Sequence, residues 1–363
     1  CHFLCIAHGW LADGGLAGWL IPSEFMDVNY GASIKQYLLD RVTLHRIHRF
    51  DPNDVQFEDA LVSSAVVWFT KAPPPRDHRV EFSYGGTLSS PKISASIPAT
   101  ALRRSPKWTK FPTACKTSVA TNGHIRLGDL FTIRRGLATG SNRFFVLTAE
   151  EAERHSLPSS FLTPILPSPR YLSTDEIEAD ENGNPILERR LFLLNCSLPE
   201  AEVEALYPAL WRYLQQGVAT GIADTYLCTH RHPWYTQEDR PPAPILCTYM
   251  GRQQTRNRGA FRFILNHSRA TAANVYLMLY PKPPLRKLFD SSSLARRAVW
   301  NALREIPSEQ LLGVGRVYGG GLHKLEPGEL ANAPADQLLA TVPELVGNAA
   351  RQLSLVDDLD SME

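Results

Sequence analysis

The sequence predicts an α/β fold followed by a mixed α+β region, and three observations carry that expectation. Before Ala72 the order reads helix, strand, helix, strand, connection, strand. Residues 72–75 (APPP) then close that run, because three prolines can continue neither a sheet nor a helix. Beyond them, basic aromatic-rich blocks flank an acidic stretch.

Phe3, Leu4, Ala7 and Leu11 recur at helical spacing, and Asp13-Gly14-Gly15 ends that helix. Residues 16–22 (LAGWLIP) form an unalternating apolar run, expected as a strand buried on both faces of a parallel sheet. Ile34, Tyr37, Leu38 and Arg41 mark a helix over 32–41. Residues 42–50 alternate like a strand, and 61–69 are rich in β-branched and aromatic side chains. These last two strands have no helix between them, so they are expected to pair antiparallel at the end of a mostly parallel sheet. Further on, Leu206, Leu210, Tyr213 and Leu214 give one amphipathic helix over 199–217, and residues 293–305 give another. Residues 356–363 are acidic and expected to fray.

A length of 363 residues suits about two domains, and 27 prolines indicate long irregular connections. The net charge of +1 excludes a uniformly basic or acidic surface, but it averages over unlike regions. From Arg76 to Arg143 twelve basic residues face only Asp77, Glu81 and Asp129. Glu150, Glu151, Glu153, Asp175, Glu176, Glu178, Asp180 and Glu181 then reverse the balance. Seven arginines from Arg231 to Arg269 restore it. The six cysteines contain no CxxC pair, so they are expected as reduced, mostly buried thiols in a cytoplasmic protein. No run approaches the roughly 20 apolar residues a bilayer requires, so no membrane partner is expected. The chain opens CHFLCIA, without an initiator Met, and reads as a protein cut inside a domain.

No GxSxG, HExxH or GKS motif occurs, and no metal set or catalytic constellation is assigned. His230 and His232 fit a loop before Pro233 better than a ligand pair. Two basic blocks say more. In residues 127–148 (LGDLFTIRRGLATGSNRFFVLT), Gly136 and Gly140 bracket a turn carrying Arg134, Arg135, Asn142 and Arg143. Arg and Asn read guanine and adenine edges, and freed backbone amides grip phosphates. The same block also fits a plain glycine turn between two strands. The second block contributes Arg252, Arg256 and Arg258, which equally fit an exposed basic loop.

Together with IPSEFMDVNYG (21–31), QFEDALVSSAVVWF (56–69), ATAANVYLMLYP (270–281) and GRVYGGGLHKLEPGEL (315–330), the glycine block resembles a known family over nearly the whole chain. It is similar to the C-terminal half of bacterial DNA adenine methyltransferases of type II restriction–modification systems. The resemblance implies that residues 1–71 are the end of the S-adenosylmethionine-dependent, class I methyltransferase sheet, antiparallel final pair included. A Pro-rich linker would occupy 72–78, a target-recognition domain 79–345, and an acidic tail 346–363. Phe57 matches the aromatic ring that stacks on an adenine extruded from double-stranded DNA. Arg134, Arg135, Asn142, Arg143, Arg316, Tyr318, His323 and Lys324 match the DNA-facing side of the recognition domain.

The departures from the family pattern carry equal weight. Members hold a glycine-rich cofactor loop and an Asn-Pro-Pro-Tyr motif. The Pro-Pro pairs here stand in APPPR (72–76), RPPAP (240–244) and KPPLR (282–286), without Asn or Asp before or an aromatic after. The expectation is therefore a DNA-recognising C-terminal portion, inactive alone and binding no cofactor alone. A companion chain would carry the N-terminal catalytic half. The alternative is a non-catalytic specificity subunit that serves a separate methyltransferase or nuclease.

Overall fold

Five strands build the sheet of the first unit: Leu16–Pro22 (β1), Thr43–Arg49 (β2), Ser64–Thr70 (β3), Arg79–Gly86 (β4) and Pro91–Pro98 (β5), in the order β1-β3-β2-β4-β5. The computed structural model describes residues 2–28, 30–57, 62–112, 125–252 and 259–341. They fall into two units, Cys1–Gly123 with Gly315–Lys324, and His124–Val314 with Leu325–Glu363.

β3 runs antiparallel to both β1 and β2, β2 is parallel to β4, and β4 is antiparallel to β5. The antiparallel pairing of the second and third strands is the one their helix-free connection predicts. β1 differs from its expectation. It pairs only with β3 among the described residues, is not parallel to it, and leaves Leu16 66% and Leu20 43% exposed. An apolar run specifies an extended segment but not how many neighbours it acquires, so the same pattern also describes an edge strand. Helices His2–Trp10 (α1) and Gly31–Asp40 (α2) flank β1 in sequence, and α2 turns Ile34, Leu38 and Leu39 into the core against Leu44, Ile47, Val67 and Phe69. Leu38 is fully buried, so truncation to Ala is expected to cost about 2–5 kcal/mol. The sheet also does not stop at the prolines: β4 and β5 lie beyond them and extend it.

Among the described residues, two sheets lie wholly within the second unit. Phe131–Arg135, Tyr276–Pro281, Ile245–Thr248, Phe263–Asn266 and Glu176–Ile177 form the larger, in that order. Thr271–Ala272, Leu162–Leu166, Leu191–Leu194 and Val146–Thr148 form the smaller. Both sheets mix parallel and antiparallel pairs. Helices Pro283–Ser291 and Ser293–Arg304 bury Phe289, Val299, Trp300 and Leu303 in the core of the larger sheet. The single helix expected over 199–217 is two, Glu200–Leu206 and Pro208–Ala219. Pro208 has no N–H to continue the ladder and pushes Tyr207 out of helical geometry, to φ −132° and ψ 66°. Cys196, Cys228 and Cys247 are free and buried. No described helix is long and apolar enough to cross a membrane. The acidic residues 346–363 lie outside the described residues.

Candidate nucleic-acid interface

In the first unit a hairpin from far along the chain meets the loop that carries Phe57. Arg316–Tyr318 and Leu322–Lys324 pair antiparallel around Gly319–Gly321. Gly320 takes φ 67°, the left-handed region where a side chain would be strained. Its N–H donates to the Pro52 carbonyl at 2.7 Å, and Ser63 Oγ donates to the Val317 carbonyl at 2.8 Å. The loop between those anchors is itself braced. Asp51 Oδ1 accepts from the Asn53 backbone at 3.0 Å and its side chain at 3.1 Å, while Gln56 Nε2 donates to Asp54 Oδ1 at 2.9 Å. Phe57 is half-buried at the end of this stretch.

Five expected residues, Phe57, Arg316, Tyr318, His323 and Lys324, therefore belong to one unit. Their electrostatics are linked to the IPSEF segment. Burial raises the Glu24 carboxyl above its ordinary range, and burial, Glu24 and Tyr318 together raise the Tyr30 hydroxyl, opposed by Arg316. The Lys324 ammonium sits 5.7 Å over the Tyr318 ring. His323 is lowered by burial, and its Nδ1 is enclosed with no hydrogen-bond partner among the described residues.

The glycine block lies in the second unit. A Cβ on Gly136 would fall 2.2 Å from the Ala273 carbonyl oxygen, so two backbones meet there closely enough to exclude any side chain. The Gly136 and Leu137 amides donate to Tyr276 and Ala272 at 2.9 and 3.0 Å. Arg231 clamps the turn by donating to the Thr139 and Ala138 carbonyls at 2.8 and 2.6 Å. Thr139 Oγ1 donates to Asn142 Oδ1 at 2.7 Å, at the start of the short helix Asn142–Phe145. Phe144 and Phe145 are buried, Phe144 stacking on Tyr213 at 4.6 Å, which leaves Asn142 and Arg143 on the outer face.

Arg134 is exposed, whereas Arg135 lies 4.0 Å over the Tyr249 ring and donates from Nε to Asn274 O at 3.1 Å. Arg252 is exposed on Met250–Arg252; Arg256 and Arg258 lie outside the described residues.

Three residues that sequence reasoning did not single out adjoin this surface. Arg170, Tyr171 and Arg189 line a groove of about 340 Å³ with Asn142 and Arg143. They sit in the acidic stretch, where local composition argued against a basic site. Conversely, Arg262 is structural: it pairs with Asp175 and donates to the carbonyls of Pro169, Leu172 and Thr174. Glu176, Glu178 and His267 bring metal-ligand atoms within 4.8 Å of one another, but Arg297 already bonds Glu176 and Glu178 at 2.5 and 3.0 Å. That cluster is an ion-pair network joining Glu176–Ile177 to the helix Ser293–Arg304.

One cavity of the first unit bears on the cofactor. A cavity of about 460 Å³ beside α2 is lined by Lys35, Arg103 and Arg104, and its Asp40 is paired with Arg103. Such a lining offers a sulfonium no unpaired carboxylate among the described residues.

The type II methyltransferase M.XamI of Xanthomonas campestris pv. amaranthicola is 29% identical over 330 residues, 91% of this chain and 58% of its own. The type II methyltransferase M.AccI of Acinetobacter calcoaceticus is 24% identical over 335 residues, 88% of this chain and 58% of its own. The chain thus spans 58% of the length of these two relatives. The type IIL restriction–modification enzyme MmeI, solved in complex with DNA, aligns over 91% of this chain and 46% of its own, at 11% identity and a TM-score of 0.43. Residues 110–360 match the family model of the type II methyltransferase M.Eco57I, C-terminal domain. This chain belongs to that family, as the C-terminal region of a restriction–modification methyltransferase.

Proposed function

We propose that the chain is the DNA-recognising C-terminal portion of a site-specific DNA adenine methyltransferase acting in the cytoplasm. Residues 1–71 are assigned to the end of the class I methyltransferase sheet, with β2 and β3 as its antiparallel final pair. Residues 79–345 are assigned to target recognition, with β4, β5 and the 316–324 hairpin as the parts that share a unit with the catalytic end. The complete enzyme takes a methyl group from S-adenosylmethionine for the exocyclic amine of adenine. Its site is assigned to an N-terminal half, supplied in the same polypeptide or by a companion chain, since neither the glycine-rich loop nor an Asn-Pro-Pro-Tyr motif occurs in this sequence.

What supports this reading above all is the anchoring of the Arg316–Lys324 hairpin on the loop that ends in Phe57. Two segments far apart in sequence are tied by hydrogen bonds at Pro52 and Ser63. One supplies a flat apolar ring for an extruded base, and the other supplies Arg316, Tyr318 and Lys324 for the strand around it. Within the second unit, Arg134, Arg135, Asn142, Arg143 and Arg252 are assigned to contacts of their own with the duplex.

The test is methyl incorporation into plasmid DNA from labelled cofactor. The chain alone should incorporate none, and co-expression with the N-terminal half of M.XamI should restore it. In the restored enzyme Phe57→Ala should lose about 1–3 kcal/mol of base stacking, roughly 5- to 150-fold. Methylation by the chain alone overturns the assignment of the cofactor site.

A further inference from the structure

The arginines of the second unit divide into two kinds. Arg240 and Arg297 each meet a carboxylate, and Arg262 meets Asp175 as well as three carbonyls. Arg143, Arg170 and Arg189 have no carboxylate within ion-pair range among the described residues, yet all three line one groove. Unit charges of one sign gathered around a groove repel each other, so the arrangement costs free energy unless an anion is bound. Glu151 also lines it; it accepts from the Thr148 amide at 2.8 Å and is attracted by Arg189, so this single carboxylate offsets part of the positive charge of three arginines.

The groove is held in shape from behind. Tyr276, fully buried, donates its hydroxyl to the Pro167 carbonyl at 2.6 Å. Arg262 bonds the Pro169 and Leu172 carbonyls at 2.8 and 3.3 Å, on either side of Arg170 and Tyr171. Tyr171 is 52% exposed, with the Arg170 and Arg189 guanidinia 4.7 and 5.2 Å from its ring centre. A cationic rim, an exposed aromatic ring and an aliphatic floor suit a polyanion whose charges alternate with flat apolar groups. Positive grooves with aromatic platforms hold nucleic acids by that combination. Asn142 and Arg143 carry the surface on into the glycine turn.

We propose that this groove is a second DNA-contact site, in which Arg143, Arg170 and Arg189 grip the phosphodiester backbone of duplex DNA and Tyr171 packs on a sugar or base face. The assignment rests on the DNA-binding reading above and adds residues to it that lie outside the basic blocks. Arg262 is a positioning residue here; it holds the segment and touches no DNA.

The test uses the whole chain and a labelled mixed-sequence DNA duplex, with binding followed by fluorescence anisotropy across a salt series. The Arg170→Ala/Arg189→Ala pair should weaken binding on the order of tenfold and flatten the slope of log K against log salt by about two. Tyr171→Phe should bind as wild type, and Tyr171→Ala should lose about fivefold or more. A control pair losing the same charge, Arg286→Ala/Lys287→Ala on the helix Pro283–Ser291, should leave the slope within about half a unit. Thermal melts equal to wild type confirm that these exposed substitutions leave the fold intact. Wild-type binding with an unchanged slope in the groove pair overturns the groove and leaves the DNA reading standing. An equal loss in the control pair also overturns the groove, because charge and not position would then be responsible. An RNA duplex that displaces the probe better than DNA overturns the choice of ligand. Absence of wild-type binding at low salt overturns both the groove and the DNA reading.

Discussion

Ser63 donates its hydroxyl to the Val317 carbonyl at 2.8 Å, a bond between residues 254 positions apart in the chain. It ties the start of β3 to a hairpin whose own turn is bonded to Pro52. The loop carrying Phe57 is thereby enclosed between two attachments of one hairpin.

Removing either attachment should release the hairpin without unfolding the sheet. Ser63→Ala leaves the Val317 carbonyl without that donor and should cost about 1–2 kcal/mol. Gly320→Ala forces a side chain onto φ 67° and should cost about 1–3 kcal/mol. Hydrogen exchange should rise at Gly320 and Val317 in both variants, while β2 and β3 keep wild-type protection. Unchanged exchange would show that other contacts suffice to hold the hairpin.

Gly136 should tolerate no substitution. Its Cβ would meet the Ala273 carbonyl oxygen at 2.2 Å, and that atom is backbone, so neither side can yield cheaply. Gly136→Ala is expected to lower stability by about 1–3 kcal/mol or more, read as a lower urea midpoint at unchanged m-value. Gly313→Ala, where a Cβ meets nothing, serves as the neutral comparison.

Arg262 should affect DNA binding from a distance. Arg262→Ala removes its bonds to Asp175, Pro169 and Leu172 and leaves the Asp175 carboxylate without its guanidinium. Stability should fall by about 1.5–3 kcal/mol. Affinity for duplex DNA should fall too, but the salt slope should stay near that of wild type, because no phosphate contact is deleted. A slope as flat as that of an Arg170 variant would instead make Arg262 a direct contact.

Stability should decline on mild acidification. His48 is fully buried with Nδ1 bonded to Ser83 Oγ at 3.0 Å; burial, and then Arg46, hold its pKa below the ordinary value. Burial does the same to His323. The unfolded chain therefore binds these protons first. The contribution is complete above about pH 6.5 and is lost as the pH falls through the folded values. Glu176 adds a second, lower window. Burial pulls its pKa up, but hydrogen bonds from His267 and Arg297 outweigh burial and hold it down, so its share is lost below about pH 4.5. Urea midpoints measured between about pH 7 and 5.5 should fall in wild type and fall less in His48→Gln. Equal slopes would remove His48 from this account.

Local pattern made several elements legible. Alternation over 42–50 and β-branching over 61–69 marked β2 and β3, and the missing helix between them marked their antiparallel pairing. The amphipathic run over 293–305 became Ser293–Arg304 almost unchanged. Pro208 was equally visible as a helix breaker, yet the apolar periodicity of Leu206, Leu210 and Leu214 continues across it, because it reports a face and not continuity. β1 departs from its pattern for a related reason: LAGWLIP describes an extended apolar strand, while burial depends on a second neighbour.

The sites followed the same rule. Residue types and motif order were enough to name the family and to single out Phe57, the glycine turn and the YGGG block as candidates. They could not say that Pro52 and Ser63 would receive that hairpin, since both bonds close loops of hundreds of residues. Nor could they say which arginines remain available. Arg262 stands in a basic block and is committed to Asp175 and three carbonyls, whereas Arg170 and Arg189 stand in the acidic stretch and have no carboxylate within ion-pair range among the described residues. A guanidinium is available or not according to the acceptors that folding brings within about 3 Å of it, and those acceptors come from distant parts of the chain.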